Sequence, residues 1–560
     1  MPTLTGARFI AETLYGYGVT HVFYMDAILR QTLVEMDALG LRRILTHSEK
    51  AAAYMADGYA RVSHRPGVCM AQNVGAANLA AGLQDAWLGC SPVIALTGKK
   101  PPLLQYRHAY QEIDHHPLFA PVTKFNAEVA APAQLPFLLR QAFREATTHT
   151  PGPVHLDLLG HNGRLLEAAE GSFPVTVEAP FTHYPAYRPE PDPAEIELAA
   201  QAIAAAQRPV IVAGGGVRLS SAQAEVVALA ERLSIPVATS VNGKGTILDR
   251  HPLSVGVVGS YSVRCANQVV SQADLVIYIG SNTGDQVTNN YTVPAAGARV
   301  VQIDINPAEI GRSYVGALGV VADARKAAAA LLRALPDQRA NTAWLEQVQW
   351  LVSAWRAEIE PLRQSAATPI RPERLCLELT RALPADAVLV ADTGYAAIWT
   401  ATMVELTDPD QTYLRAAGSL GWAFPAALGV KCAVPHRPVI CFTGDGGFWY
   451  HLTEMETARR FNINTVTIVN NNSGLAQGIS DVTRLYAGHP GTPEQMYQFT
   501  PVNFARVAKE MGCWARRVED PADISEAIRQ ALAAERPAIV EVLTGLEYEA
   551  PNPWSPPAKT

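Results

Sequence analysis

The chain alternates between short runs of β-branched and apolar residues and alanine-rich helical stretches, and it does so in three successive blocks. In the first block Val19 to Phe23, Ile44 to His47, Val68 to Gln72, Val93 to Thr97 and Val154 to Leu158 read as strands, with helices such as Ala51 to Arg61 and Ala76 to Leu88 between them. The second block places strands at Val210 to Ala213, Val237 to Thr239, Leu275 to Ile279 and Val300 to Ile303. The third places them at Ala387 to Ala391, Val439 to Phe442, Thr465 to Val469 and Ala538 to Val542. Strands apolar on both faces and separated by helices belong in parallel sheets covered on both sides. The expected fold is therefore α/β, with three doubly wound domains and mostly parallel sheets. Proline-rich breaks set the expected boundaries. Residues 1–178 form one domain, 194–340 a central one and 366–550 a third, and 551–560 form an extended tail. The stretch from Glu178 to Pro193 reads as a linker.

Composition narrows the function classes. A net charge of −7 over 560 residues offers no basic footprint for nucleic acid. No apolar run reaches the ~18 residues of a membrane span, and the first residues lack the pattern of a secretory leader, so the expected location is cytoplasmic. Seven scattered cysteines without a CxxC pair read as buried thiols.

The third block carries the densest chemistry. Gly444-Asp445-Gly446-Gly447 directly follows a strand, where ligands of open parallel sheets bind. Glycines there let the backbone approach a phosphate, and the helix expected near Tyr450 to Arg460 offers free N–H groups. One strand–helix–strand step later the chain reads Asn470-Asn471-Asn472-Ser473-Gly474. That step places Asp445 and Asn472 on neighbouring strand ends. Asp445, the Asn472 amide oxygen and the Gly474 carbonyl would give three oxygen ligands to Mg2+, with two diphosphate oxygens and a water completing six.

In the first block Glu49 lies just past a strand, in the string from Ser48-Glu49-Lys50 to Ala56-Asp57-Gly58-Tyr59-Ala60-Arg61. Together with Gly444-Asp445-Gly446, Asn471-Asn472 and the segment Gly418 to Ala427, this string resembles the acetolactate synthase-like family of thiamine diphosphate enzymes. The resemblance runs on through Gly75 to Leu79, Pro92 to Gly98, Tyr110-Gln111-Glu112 and Ile303 to Gly311, and it covers essentially the whole chain. It implies that Glu49 is the carboxyl that activates the aminopyrimidine of the cofactor. It implies further that Gly418 and Leu420 grip the bent cofactor, and that Asp392-Thr393-Gly394 brackets it from the other side. Asn73, Asn78, Tyr395 and Leu475 join the expected cofactor contacts. Gln111 is expected to orient the substrate near the reacting carbon. The reaction implied is decarboxylation of a 2-keto acid followed by protonation or by addition to an aldehyde or ketone acceptor. By the same resemblance the cofactor lies between two subunits, so the chain is expected to form at least a homodimer, or a homotetramer.

Several positions depart from that family. Tyr395-Ala396 replaces a polar pair that follows Gly394. The loop after the first strand is shortened to Tyr24-Met25-Asp26-Ala27, and its aspartate is either aimed at the thiazolium side, with a catalytic role, or an ordinary turn residue. Gln477 and Asp481 stand where the family has a methionine and an acceptor-selecting tryptophan. Met25, Asp26, Gln477 and Asp481 are therefore the expected substrate-pocket residues, and the pocket is expected to differ from that of amino-acid-biosynthetic acetolactate synthases. His115-His116 reads as a surface loop pair. In the central block Gly214-Gly215-Gly216 and Asp304 resemble a flavin-binding domain, but Gly280 to Gln286 lacks the family's arginines. FAD, ADP and an empty cleft all remain open there.

Overall fold

A computed structural model describes residues 3–335 and 342–557. The ends of the expected central domain (336–340) and tail (558–560) lie outside the described residues. Each block folds around a six-stranded sheet in which every neighbouring pair is parallel. The interior strands are apolar on both faces because helices cover both faces.

The first sheet runs Arg42–Leu45, His21–Tyr24, Gly67–Ala71, Val93–Lys99, Val154–Leu159, Phe125–Val129. The third runs Thr412–Arg415, Val388–Ala391, Val439–Gly444, Val466–Asn471, Ala538–Leu543, Trp514–Val518. Counted along their own blocks, these two orders are identical, so the outer blocks share one topology. The central sheet is wound differently: Ser254–Val257, Val237–Thr239, Pro209–Ala213, Leu275–Ile279, Val300–Asp304, Leu318–Val321. Its first strand lies inside the sheet and the chain steps outward in both directions, which is the order of dinucleotide-binding sheets.

The outer blocks pack on each other through two helices, Glu49–Ser63 and Ala423–Ala433. Small residues let their backbones nearly touch. A Cβ on Gly58 would lie 2.2 Å from the Ala426 carbonyl oxygen, and one on Gly429 would lie 1.9 Å from that of Met55. The proline-rich stretch after Glu178 is packed against the first block. Tyr184 is buried, and its hydroxyl donates to the Ala60 carbonyl at 2.7 Å. It is a strap on the surface of that block, held there by an aromatic ring that needs burial.

His115 is fully buried, contrary to the surface reading, while His116 is exposed. The His115 Nδ1 meets the Asp157 carboxylate at 3.1 Å, and Asp157 also accepts from the Thr97 hydroxyl at 2.9 Å. A carboxylate inside an interior strand offers a histidine a partner that makes burial possible, and no local pattern in the sequence announces a partner so far along the chain. All seven cysteines are free, and six are buried. Among the described residues no helix is long and apolar enough to cross a membrane.

Candidate functional site

Four consecutive strand ends of the third sheet open onto one rim. They lead into Ala416–Leu420, Asp392–Gly394, Gly444–Gly447 and Asn472–Gly474, in that spatial order. Gly444 pairs in register with Asn470, which sets the Asp445 and Asn472 loops side by side. The crossovers change direction between Val388–Ala391 and Val439–Gly444, and the crevice of such a sheet lies at that point. Asp392 closes its floor. One carboxylate oxygen accepts from the Gly421 and Thr393 N–H groups at 3.0 and 2.8 Å, and the other takes the Thr443 hydroxyl at 3.1 Å. Burial pushes the Asp392 carboxyl up to about 6.

Asp445 is buried at the first position of the short helix Asp445–Trp449, so the helix starts earlier than its sequence suggests. Burial pushes its carboxyl up to about 7, opposed by backbone N–H groups that include those of Asn472 and Gly474. The carboxyl therefore faces the Asn472–Gly474 loop. A dry carboxyl beside an amide oxygen and a carbonyl is a donor set that fits a hard divalent cation, whose charge would offset the cost of burial. The Asn472 side-chain oxygen already turns inward, accepting from the Gly474 N–H at 3.2 Å. Cβ atoms on Gly418 and Gly444 would meet nothing within 4 Å, so space for a ligand remains beside both loops. Gly447 has no such space, because its Cβ would lie 2.8 Å from Asp392 Oδ2.

Side chains beyond the rim converge on the same space. Leu475 packs over Gly446, whose Cβ would lie 2.6 Å from the leucine Cδ2, and Gln477 reaches within 2.9 Å of a Cβ on Gly394. A cavity of about 610 Å³ opens here, with Leu420, Gly446, Trp449, Tyr450, Leu475 and Phe499 among its walls. Among the described residues, all of its walls belong to the third block. Asp481 lies farther out, exposed and paired with Arg484 at 3.0 Å on a helix, Ile479–Tyr486, with no buried residue.

The first block gathers its own set. Ser48 caps the helix that Glu49 opens, accepting from the Ala51 N–H at 3.1 Å. Glu49 accepts from the Asn78 amide at 3.1 Å. A Cβ on Gly75 would lie 2.4 Å from Glu49 Oε1, so the glycine is a condition of the glutamate's position. Asn73, two residues before Gly75, is buried with both amide atoms unpartnered among the described residues. A buried amide left so keeps its full capacity to bond a ligand or a water. Gln111 sits in a left-handed turn with φ of 63°, in a loop tied by Glu112, which accepts from the Tyr106 N–H at 2.8 Å. Strain of this kind is concentrated at functional loops. Met25 donates its N–H to the Met70 carbonyl at 3.2 Å. Asp26 is exposed and bidentate to Arg30 at 3.1 and 2.7 Å.

The central block holds a separate cleft of about 490 Å³, lined by Gly215, Gly216, Gly280 and Asp304. Burial pushes the Asp304 carboxyl up to about 6. An arginine from the third block also lines this cleft. Arg415 is buried against the cleft and donates to the Asn242 amide oxygen at 3.0 Å and to Gln286, while its Nη1 has no partner among the described residues. Sequence reasoning missed it because Arg415 ends an edge strand far from the glycine loops it completes.

Comparisons with known proteins agree with this arrangement. Profiles described as the N-terminal TPP binding domain, the central domain and the C-terminal TPP binding domain of thiamine pyrophosphate enzymes match residues 4–118, 196–331 and 392–542. A probable acetolactate synthase large subunit of Methanocaldococcus jannaschii is 34% identical over 96% of this chain and 92% of its own length. The acetolactate synthase large subunit of Corynebacterium glutamicum is 32% identical over 97% and 87%. The large subunit of isozyme 1 of Escherichia coli is 30% identical over 99% and 96%.

Proposed function

Because the chain belongs to the thiamine pyrophosphate enzymes and is an acetolactate synthase-like member of them, we propose that it is a carboligase that takes a 2-keto acid as donor. The observation that carries the reading is the buried Asp445 carboxyl facing Asn472 and Gly474 across neighbouring strand ends. In this reading Asp445, Asn472 and Gly474 hold Mg2+, and the open space beside Gly418 and Gly444 receives the diphosphate. Bound thiamine diphosphate supplies a carbon nucleophile and an electron sink for decarboxylation. Glu49, fixed by Asn78 and Gly75, holds a proton against the aminopyrimidine nitrogen. Asn73 turns its unpartnered amide toward the cofactor. Gln111, on its strained turn, orients the substrate oxygen. Met25, Gln477 and Asp481 shape the acceptor side. Asp26, held by Arg30, lies at its edge.

Glu49 and the Asp445 rim belong to different sites in this reading. The cavity at the rim is walled by the third block alone, and its exposed Trp449, Tyr450 and Leu475 need an apolar cover. The first block of a second copy, with its exposed Tyr106, Tyr110 and Val74, supplies that cover and brings its Glu49. The chain is then a homodimer at least, with a homotetramer as the next assembly. The central cleft suits a nucleotide diphosphate, which would meet the free Nη1 of Arg415. Flavin absorbance in the purified protein separates FAD from ADP. The test of the whole reading is incubation with thiamine diphosphate, Mg2+, pyruvate and other 2-keto acids, with and without aldehyde acceptors, followed by mass spectrometry. A hydroxy ketone formed with loss of carbon dioxide is the expected result. Release of free aldehyde alone makes the chain a simple decarboxylase, and no consumption of any 2-keto acid overturns the reading.

A further inference from the structure

The loop that carries Gly418 is pinned by a group from another block. Asp85, buried on the helix Gly75–Leu88 of the first block, accepts three successive backbone N–H groups of the third. Ala417 donates to its Oδ1 at 2.9 Å, and Gly418 and Ser419 donate to its Oδ2 at 3.2 and 3.0 Å. The reason lies in the surrounding charges. Arg61 is bidentate to Asp57 at 2.8 and 2.6 Å and reaches Asp85 with one nitrogen at 2.9 Å. Asp57 takes a further bond from the Trp422 indole at 2.9 Å, and the Arg61 guanidinium lies 4.5 Å over that ring. One guanidinium is thus shared between two fully buried carboxylates, and most of it is committed to Asp57. Asp85 keeps acceptor capacity that must be filled, because a buried carboxylate without donors is costly. The three loop N–H groups fill it. Arg61 closes the clamp from the other side by donating to the Arg415 carbonyl at 2.8 Å.

The placement matters because Gly418 is itself exposed and its side would be open. The turn is anchored before it by the Ala416 N–H on the Ala391 carbonyl and after it by the Gly421 N–H on Asp392, and between those anchors the Asp85 carboxylate takes the N–H groups of Ala417, Gly418 and Ser419. The same helix that carries Asp85 begins at Gly75 and carries Asn78, the two residues that set Glu49. We propose that Asp85, oriented by Arg61, is the positioning residue that pre-forms the Gly418–Leu420 turn for the thiamine cofactor. This inference rests on the cofactor role given above to Gly418 and Leu420.

Two measurements on the full-length protein test it. In the wild type without cofactor, hydrogen–deuterium exchange over the peptide from Thr412 to Trp422 is expected to be slow at the Ala417, Gly418 and Ser419 amides. Exchange there at the rate of a free loop, with protection appearing only when thiamine diphosphate is added, overturns the proposal. In Asp85→Asn, the dissociation constant for thiamine diphosphate with Mg2+, followed by calorimetry, is expected to rise at least about tenfold, because the charge-assisted bonds to the turn are lost. Circular dichroism and assembly size are expected to stay as in the wild type. A carboxylate that only supported the fold would lower the melting temperature and leave the affinity of the folded protein unchanged, so unchanged affinity also overturns the proposal. If Asp85→Asn does not fold, the wild-type exchange experiment decides. Wild-type protein that binds no thiamine diphosphate overturns the cofactor reading instead, and the exchange rates then report the Asp85 clamp separately.

Discussion

At the scale of single residues, Glu49 is held from two directions, by a bond from Asn78 and by the missing side chain of Gly75. Glutamine at that position keeps the size and the acceptor for Asn78 but cannot exchange a proton with the cofactor. Glu49→Gln is therefore expected to lower turnover of 2-keto acid by at least about 10²-fold, with the circular dichroism spectrum unchanged. Turnover near the wild-type level would remove Glu49 from the mechanism. The placement of Glu49, Asp445 and Asn472 just past strand ends is legible in the sequence because their neighbours are glycines, alanines and asparagines at fixed short spacing. His115 and Arg415 are not. Each acquires its role from a partner distant in the chain, His115 from Asp157 and Arg415 from Asn242 and Gln286, and such pairings leave no periodic trace.

The elements follow a physical pattern of visibility. Among the described strands of the three six-stranded sheets, Phe125–Val129, Ser254–Val257, Leu318–Val321, Thr412–Arg415 and Trp514–Val518 are those that hydrophobic runs do not announce, and every one lies at a sheet edge. Edge strands need cover on fewer sides and take charged residues, as Arg516 and Arg517 show, so they lose the apolar signature of interior strands. The helix pair joining the outer blocks is governed by close approach. Gly429→Ala would drive a methyl group to 1.9 Å from the Met55 carbonyl oxygen. The helices must part to admit it, at an expected cost of about 1–3 kcal/mol in urea unfolding. A variant as stable as the wild type would show that this contact yields freely. Asp392 gives the third-block rim a pH dependence. Its carboxyl is raised to about 6 by burial, so between about pH 4 and about pH 6 the unfolded chain releases a proton that the folded protein keeps. Cofactor-free wild-type protein should therefore lose stability as pH rises through that window, by up to about 3 kcal/mol from this group. Asp392→Asn keeps an acceptor for Gly421 and should lose less over the same range. Equal pH slopes in urea titrations of the two proteins would exclude Asp392 as the source.

At the scale of the whole molecule, the proposed site draws on two blocks of the fold. The rim cavity is walled by the third block, Glu49 opens a helix of the first, and those two blocks are locked together through Gly58 and Gly429 within one chain. A close contact of that kind leaves little freedom for the first block to swing over its own rim, whereas a two-fold partner, as proposed above, would cover it without internal movement. Subunit mixing measures the difference. The Glu49→Gln and Asp445→Asn proteins are each expected to be inactive alone. If each site takes Glu49 from one chain and Asp445 from the other, a mixed dimer contains one site with both residues intact and one with neither. Random reassociation of equal amounts after mild denaturation should then restore about a quarter of wild-type activity, since about half the dimers are mixed and each has one working site of two. If both residues serve the same site from a single chain, no dimer of the two variants contains a complete site, and the mixture stays inactive. Recovery of activity therefore reports the division of the site between subunits without any assumption about the substrate it acts on.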